Sequence, residues 1–297
     1  RPLGRLVSMR LYLIDGTYEL FRSYFGAPPR SAPDGREVGA AHAITASTLA
    51  LLADEGVTHV AAAFDTVIES FRNEVYRGYK TGEGIEEDLL SQFLLAERAL
   101  RAIGVTVWSM YDFETDDALA TAAVRWADDV EQTVVLSPDK DMAQLSGHPK
   151  IVGYDRRKGQ FIDREAVIEK FGVEPESIPD YLALVGDTAD GFPGLPGWGA
   201  KSSATVLSRY GHLERIPLHP AQWDVSVRGA EKLGTTLRLQ MGEALLYRFL
   251  AQLRTDVPIP DSLQDLEWRG VPRATFETFC DELGFDRLKN RPDRWQD

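Results

Sequence analysis

Short apolar runs alternate with longer amphipathic segments through the first half of the chain. Apolar runs bounded by turn residues predict buried strands, and the segments between them have the spacing of helices. The predicted strands are 10–14, 59–64, 105–108 and 133–136. The predicted helices between them are 18–25, 38–52, 89–103 and one that begins at Glu114, and another helix is predicted after the strand 133–136. This alternation predicts an α/β fold whose central sheet is rich in parallel strands.

The pattern changes near residue 175. Two short strands at 150–153 and 159–162 and a helix over 163–171 end the alternation. A helix, a glycine-rich hairpin and a second helix are then predicted within residues 178–210. Further helices are predicted over 225–232, 235–253 and 273–283. We therefore predict a mixed α/β domain over residues 9–175 and a helical region over residues 176–297.

Carboxylates gather where predicted strands end and helices begin. They are Asp15, Asp65, Glu114, Asp116, Asp117, Asp139 and Asp141. In an open α/β sheet the crevice lies beyond the carboxyl ends of the strands, so we expect these side chains to converge there. Converging carboxylates repel unless a cation neutralises them, and ligand sets made only of oxygen favour Mg²⁺ or Mn²⁺. The alternative is that each acid only caps a helix or a turn.

Residues 66–88 interleave basic and aromatic side chains before turning acidic and glycine-rich. Arg72, Arg77 and Lys80 alternate here with aromatic residues such as Tyr76. This mixture suits a segment that binds phosphates and stacks on bases, in the form of a mobile arch over the crevice. The alternative is a solvated helix followed by a loop.

The glycine-rich hairpin within residues 179–211 is a candidate anion site. Its backbone amides and the start of the following helix can bind a phosphate, and its carbonyl groups can hold a monovalent cation. The residues in question are Gly194, Gly197, Gly199, Lys201 and Ser202. Asp187 and Asp190 enter the same hairpin three residues apart. The alternative is a helix–turn–helix that serves only packing.

The amino-acid composition excludes some classes of protein but does not identify the binding partner. The 297 residues carry a formal net charge of −13, which argues against a phosphate-rich ligand. Setting aside nine candidate metal ligands leaves −4, so that objection weakens. No apolar run is long enough for a bilayer, and the lone Cys280 fits a reducing cytosol. Residues 1–8, ahead of Met9, are expected to be upstream sequence or sequence added in cloning.

Taken together, the motifs resemble those of the 5′ nuclease family, the flap endonuclease/5′–3′ exonuclease group that includes the N-terminal domain of bacterial DNA polymerase I. The matching segments occur in order over most of the chain. They are LIDGTYELFR, AFDTVIESFRNEVYRGYK, ETDDALA, LSPDKDMAQL and GDTADGFPGLPGWGAKSSA. The resemblance implies a PIN-like nuclease core and a helix–hairpin–helix (H2TH-type) element with a K⁺ site.

The resemblance also implies which side chains act. Two or more Mg²⁺ or Mn²⁺ ions would be held by Asp15, Asp65, Glu114, Asp116, Asp117, Asp139, Asp141, Asp187 and Asp190. Basic residues near the scissile phosphate would be Arg22, Arg72 and Lys80, and other DNA contacts would come from Tyr76, Arg77 and the hairpin residues. Glu83 stands where many members carry a basic residue, so we expect the arch to hold a threaded strand less tightly.

The resemblance implies a DNA enzyme of replication and repair that cleaves 5′ flaps and nicked or gapped duplexes. We expect 5′-phosphate and 3′-hydroxyl products, a monomer in the bacterial cytosol, no membrane partner, and a DNA polymerase acting in trans. Two alternatives stay open at this point. One is a PIN-like ribonuclease, and the other is a DNA-binding protein that does not cleave.

Overall fold

The computed structural model describes residues 8–54 and 56–296; the first seven residues of the predicted upstream segment lie outside them. The strands are β1 (Arg10–Asp15), β2 (His59–Asp65), β3 (Thr106–Met110), β4 (Gln132–Leu136), β5 (Ile151–Asp155), β6 (Gln160–Ile162), β7 (Val271–Pro272) and β8 (Trp295–Gln296). The helices are α1 (Gly16–Gly26), α2 (Gly39–Leu52), α3 (Phe71–Val75), α4 (Glu87–Ala102), α5 (Thr115–Trp126), α6 (Arg164–Phe171), α7 (Ile178–Val185), α8 (Ala200–Tyr210), α9 (Ala230–Leu239), α10 (Met241–Ala251) and α11 (Arg273–Leu283).

The described chain forms two compact units, each assembled from separate stretches. The sheet unit takes its described residues from 1–68, 82–137 and 255–297, and the helical unit consists of 69–81 and 138–254. These units are defined by contacts between residues and are assembled from separate stretches of chain. They do not test the predicted boundary near residue 175, which stays a prediction.

The sheet unit is built on parallel strands in the order β3-β2-β1-β4. Strand β1 is central, with Ile14 opposite Ala62 of β2 and Leu136 of β4. Every residue of β2 is buried, because helices cover both faces of a parallel sheet. The predicted α/β class and the parallel-rich sheet are confirmed. At the carboxyl edge of this sheet each strand passes directly into a loop or a helix.

The helical unit packs α7, α8 and α10 around its own apolar core. Among the buried core residues are Leu184, Phe192, Trp198, Leu207 and Leu250. The antiparallel pair β5–β6, with Gly153 opposite Ile162, and helix α6 also belong to this unit. The predicted strand pair is therefore confirmed, as is the Asp163 cap of α6, whose Oδ1 accepts a hydrogen bond from Ala166 N over 2.9 Å.

Some predicted helices have different bounds or types. The segment after β4 forms a 3₁₀ helix (Asp141–Gly147) and no regular α-helix. The helix predicted over 225–232 begins only after Gly229, which adopts a left-handed φ of 77°, and so becomes α9. The long helix predicted over 235–253 is interrupted at Gln240, where φ is −118°. None of the helices in the described part of the chain could span a bilayer.

Candidate metal centre

Three carboxylates lie together in the helical unit. One oxygen atom from each of Asp141, Asp187 and Asp190 lies within 4.8 Å of the others. Asp141 opens the 3₁₀ helix, whereas the other two lie in the tight turn that follows α7. Two backbone hydrogen bonds close that turn, from Asp187 N to Phe192 O over 2.8 Å and from Phe192 N to Asp187 O over 3.0 Å. We call these three side chains the acidic cluster.

Asp141 is the most constrained member of the acidic cluster. It is 5% exposed, and its Oδ1 atom is buried with no hydrogen-bond partner among the described residues. Burial, and then repulsion by Asp139, Asp190 and Asp187, raises the pKa of its carboxyl group well above the usual range, against the attraction of Lys80. A buried carboxylate oxygen without a donor is costly, and a bound cation removes that cost.

Two lysines offset part of the negative charge. Lys80 Nζ lies 3.1 Å from Asp190 Oδ1, and Lys140 Nζ lies 2.8 Å from Asp187 Oδ2. Burial alone would lower the pKa of the Lys140 ammonium group, but its hydrogen bond to Asp187 and the attraction of nearby acids raise that pKa. With Asp139 counted and every acid ionised, the carboxylates exceed the two ammonium groups by two charges. An all-oxygen set with this surplus fits a hard divalent cation.

Lys140 was not among the predicted site residues. Its signal in the sequence is its position between Asp139 and Asp141, two candidate ligands. Asp139 Oδ1 accepts a hydrogen bond from Asp141 N over 3.3 Å, which tightens the loop around Lys140. A lysine that lies between two acids in the sequence can therefore form its ion pair with a third acid, here Asp187.

The Lys80 side chain is positioned by its own backbone. Lys80 N donates a hydrogen bond to Asp190 O over 3.0 Å, and Lys80 O accepts one from Asn73 Nδ2 over 2.9 Å. Gly191 permits this approach, because a Cβ atom there would lie 2.2 Å from Gly78 O and its φ is 86°. Lys80 is thus fixed beside the acidic cluster at both its backbone and its ammonium group.

Arg72 lies in the interior of the helical unit. It is 2% exposed, and its Nε and Nη2 atoms donate to Leu250 O over 2.9 Å and Gln252 O over 3.0 Å. These carbonyl groups lie at the C-terminal end of α10, where cationic side chains stabilise the helix. The guanidinium also lies 4.6 Å from the ring of Phe71. Arg72 thus supports the segment that carries Lys80, and its predicted contact with a phosphate stays a prediction.

The sheet unit holds a second set of predicted ligands. Asp15 caps α1, with Oδ1 accepting from Tyr18 N over 2.8 Å and Oδ2 accepting from Ser137 Oγ over 2.7 Å. Asp65 Oδ1 accepts from Thr115 N over 2.6 Å. Because β1 and β2 are parallel neighbours, both acids lie at the carboxyl edge of the sheet. Asp15 is therefore a helix cap, as the alternative interpretation predicted, whereas Asp65 binds the first amide of α5. Both acids also lie where a metal ligand is expected.

The acids at the start of α5 share that edge. The bond from Thr115 N to Asp65 places the first turn of α5 beside the end of β2. Glu114 N donates to Asp117 Oδ2 over 3.1 Å, and both residues are buried, whereas Asp116 is half-buried. The structure thus brings these acids to one edge of the sheet unit. Their role as metal ligands and their predicted convergence with acids of the helical unit stay predictions.

The other predicted contact residues differ in their exposure. Arg22 forms an ion pair with the buried Glu19, and its side chain is 35% exposed. Tyr76 packs edge-on against Tyr247 with 5.9 Å between ring centroids, and Arg77 is exposed. Arg77 is therefore the most accessible of the three predicted contact residues to a ligand in solvent, and the predicted DNA contacts stay predictions.

The glycine-rich hairpin between α7 and α8 is compact. Gly194 has a left-handed φ of 70°, and a Cβ atom there would lie 2.4 Å from a backbone nitrogen. Gly199 precedes α8 and exchanges hydrogen bonds of 3.0 Å with the Ser202 hydroxyl group. Lys201 is exposed in the first turn of that helix. The exposed start of α8 and its lysine have the charge expected of an anion site.

Two adjoining family models match the chain. Residues 10–172 match the N-terminal resolvase-like domain of 5′-3′ exonucleases, and residues 173–274 match the C-terminal SAM fold of the same enzymes. A 5′-3′ exonuclease of Aquifex aeolicus is 31% identical over 285 residues, which cover 96% of this chain and 95% of that protein.

DNA polymerase I of Mycobacterium leprae is 34% identical over 287 residues, covering 95% of this chain and 31% of that protein. The chain therefore spans about a third of the length of the DNA polymerase I relatives that it matches. Among solved structures, the bacteriophage T5 flap endonuclease in a complex with DNA and metal ions is similar. It has a TM-score of 0.65 at 17% identity, with 83% of this chain and 90% of that chain covered.

Proposed function

Because this chain belongs to the 5′-3′ exonuclease family, we propose that it hydrolyses DNA phosphodiester bonds at 5′ ends and 5′ flaps with bound divalent cations. The family, predicted from the sequence motifs, is confirmed by the two family models and by the Aquifex aeolicus relative. The observation that carries the proposal is the acidic cluster, in which Asp141 Oδ1 is buried without a donor and Lys80 stands beside Asp190.

The acidic cluster would hold a cation through Asp141, Asp187 and Asp190. A divalent cation supplies Lewis-acid activation of the phosphodiester and of an attacking water. Lys80, whose ammonium group lies 3.1 Å from Asp190, would offset negative charge on the phosphoryl oxygens in the transition state. Lys140 would orient Asp187, because its ammonium group pairs with that carboxylate.

Further cations would be held by the acids of the sheet unit. Asp15, Asp65 and the acids at the start of α5 lie at the carboxyl edge of its strands, where ligands bind in open α/β sheets. We propose two or more Mg²⁺ or Mn²⁺ ions in total, since all the candidate ligands are carboxylates. The T5 structure of similar fold, which holds metal ions, supports the use of metal ions by this chain.

The glycine-rich hairpin is the proposed duplex contact. Its exposed Lys201 and the start of α8 would bind one backbone phosphate of the DNA, and hairpin carbonyl groups would hold a K⁺ ion. The DNA in the T5 complex supports a DNA substrate for this chain. We further propose a monomer in the bacterial cytosol that acts on nicked, gapped or flapped duplex beside a DNA polymerase.

The test is cleavage of a DNA duplex with a 5′ flap labelled at its 5′ end. Reactions in Mg²⁺, in Mn²⁺ and in EDTA are compared for wild type and Lys80→Ala, with Lys289→Ala as a control lysine. Junction-length product in either metal, none in EDTA, and a rate at least about 100-fold lower for Lys80→Ala are expected. Absence of cleavage in both metals, with duplex binding retained, would instead identify a DNA-binding protein.

A matched flap made of RNA separates the ribonuclease alternative. The hairpin between α7 and α8 favours duplex DNA as the bound surface, so the DNA substrate should be cleaved with at least equal efficiency. Cleavage of single-stranded RNA alone would overturn the proposed substrate. Release of mononucleotides alone from the DNA substrate would restrict the activity to exonucleolytic cleavage.

A further inference from the structure

The β5–β6 hairpin of the helical unit presents three consecutive basic residues on a fixed turn. Asp155 Oδ1 accepts hydrogen bonds from Arg157 N over 3.0 Å and from Lys158 N over 3.2 Å. Gly159 N closes the same turn by donating to Asp155 O over 2.8 Å. Arg156 completes the basic run. The buried aspartate thus orders a cationic turn in which Arg157 and Lys158 are exposed, whereas Arg156 is half-buried with its Nη1 atom buried.

A cavity of about 510 Å³ lies between this turn and α6. This volume falls in the range of small-ligand sites and is sufficient for a nucleotide. Phe161 forms part of the wall, is 58% exposed, and packs against Tyr154 with 4.8 Å between ring centroids. Lys158 and Lys170 line the same cavity. An exposed aromatic face beside cations is the combination on which unpaired bases stack.

Three basic and two acidic side chains line this cavity, in a protein of net charge −13. Burial, and then repulsion by Lys158, lowers the pKa of the Lys170 ammonium group despite the opposing attraction of Asp139 and Asp155. Glu169 also lines the cavity, Asp155 Oδ1 accepts hydrogen bonds from the turn amides, and Asp155 Oδ2 lies 3.8 Å from Lys158 Nζ. An anion placed between the two lysines would relieve their repulsion.

We propose that this cavity is a second nucleic-acid subsite, which takes an unpaired segment of single-stranded DNA. Lys158 and Lys170 bind its phosphates, and Phe161 stacks on one of its bases. The subsite rests on the proposed nuclease function and extends it, because Pro138 in the cavity wall directly precedes Asp139 of the metal centre. Contacts with Lys158, Lys170 and Phe161 would hold nucleotides near the scissile bond independently of the metal ions.

Photocrosslinking in EDTA tests the location of this subsite without cleavage. A short single strand carrying 5-iododeoxyuridine is irradiated with the full chain, and crosslinked peptides are mapped by mass spectrometry. The expected crosslink falls on Tyr154 or Phe161. Crosslinks confined to other segments would overturn the proposal.

Binding of the same strand, followed by fluorescence anisotropy, tests the stacking contact. Phe161→Ala should weaken affinity by about 5-fold or more, the range of a lost base–aromatic stack. Leu239→Ala removes a side chain that is 74% exposed in the same unit and should leave affinity unchanged. Equal affinities for wild type and Phe161→Ala would refute the stacking role.

The phosphate contacts have their own signature. The double substitution Lys158→Ala, Lys170→Ala should flatten the dependence of log affinity on log salt by about one to two units, while Lys232→Ala should not. An unchanged slope would exclude these lysines as phosphate ligands. Thymidine 5′-phosphate distinguishes two sources of the nucleotide: competition with the strand would assign the site to a released mononucleotide, and lack of competition would assign it to a strand.

Failure of this inference is distinguishable from failure of the proposed function. Flap cleavage with no crosslink on the β5–β6 hairpin would reject the subsite and leave the proposed nuclease function standing. A crosslink on the β5–β6 hairpin without metal-dependent cleavage would support the subsite and reject the nuclease function.

Discussion

Replacing Arg72 by Met separates a structural role from a catalytic role for this residue. Methionine keeps the apolar bulk but removes the donors to Leu250 O and Gln252 O. Each hydrogen bond from a charged donor contributes roughly 1.5–3 kcal/mol, so the loss of two is about 3–6 kcal/mol. That is a large part of the roughly 5–15 kcal/mol by which domains are stable. Since 1 kcal/mol shifts Tm by about 2–4 °C in a large domain, Tm should fall on the order of 10 °C.

Circular dichroism melting measures this loss, and single-turnover cleavage well below Tm measures the chemistry. Arg77→Met, an exposed arginine in the same segment, is the control for stability and should change Tm by less than about 2 °C. Folded Arg72→Met should keep its cleavage rate within about tenfold of wild type. An unchanged Tm together with a rate loss of about 100-fold or more would refute the structural role and place Arg72 at the phosphate.

Three further predictions concern single positions. Gly191→Ala should lower both Tm and the single-turnover rate, because the added Cβ atom would lie 2.2 Å from a backbone oxygen. Gly35 also has a positive φ but has open space around it, so the control Gly35→Ala should lower Tm only slightly. Burial raises the pKa of the Cys280 thiol to about 12, so mass spectrometry should find almost no alkylation of native protein at pH 8 and full alkylation after denaturation. The hydrogen bond from Arg98 lowers the pKa of Glu282 from 4.5 to about 2. The resulting stabilisation, under about 1 kcal/mol at this exposed site, is complete above the unfolded pKa of 4.5. The Tm difference between wild type and Glu282→Gln should therefore shrink as pH falls from 5 towards 2, and a difference that grew with acidity would contradict the assignment.

The sheet and the position of its acids were predictable because both follow from periodicity. Buried parallel strands are continuous apolar runs, and their carboxyl ends meet at one edge. Asp15 and Asp65 therefore lie where the sequence places them. Asp187 and Asp190 join Asp141 in one cluster because of the conformation of the hairpin after α7. The sequence shows the glycines of this hairpin, but it does not show the backbone hydrogen bonds between Asp187 and Phe192 that close it.

The roles of the basic residues were harder to predict. Arg72 and Lys80 belong to the same run of basic and aromatic residues, yet Arg72 binds a carbonyl group 178 residues away while Lys80 reaches the acidic cluster. No local pattern separates these outcomes, because burial of Arg72 is decided by the packing of α10. Lys140 differs from these two residues, because its position between Asp139 and Asp141 in the sequence already indicated a place at the site, although it was not among the predicted site residues.

Thermal unfolding of Asp141→Asn, with EDTA and with Mn²⁺, tests the central claim that the acidic cluster is a cation site. In EDTA the variant should melt at a higher temperature than wild type, because one of the mutually repelling carboxylates is gone. Mn²⁺ should raise the Tm of wild type and of the exposed control Asp163→Asn, but raise that of Asp141→Asn much less. A lower Tm in EDTA for Asp141→Asn, with the full rise in Mn²⁺ retained, would contradict the account.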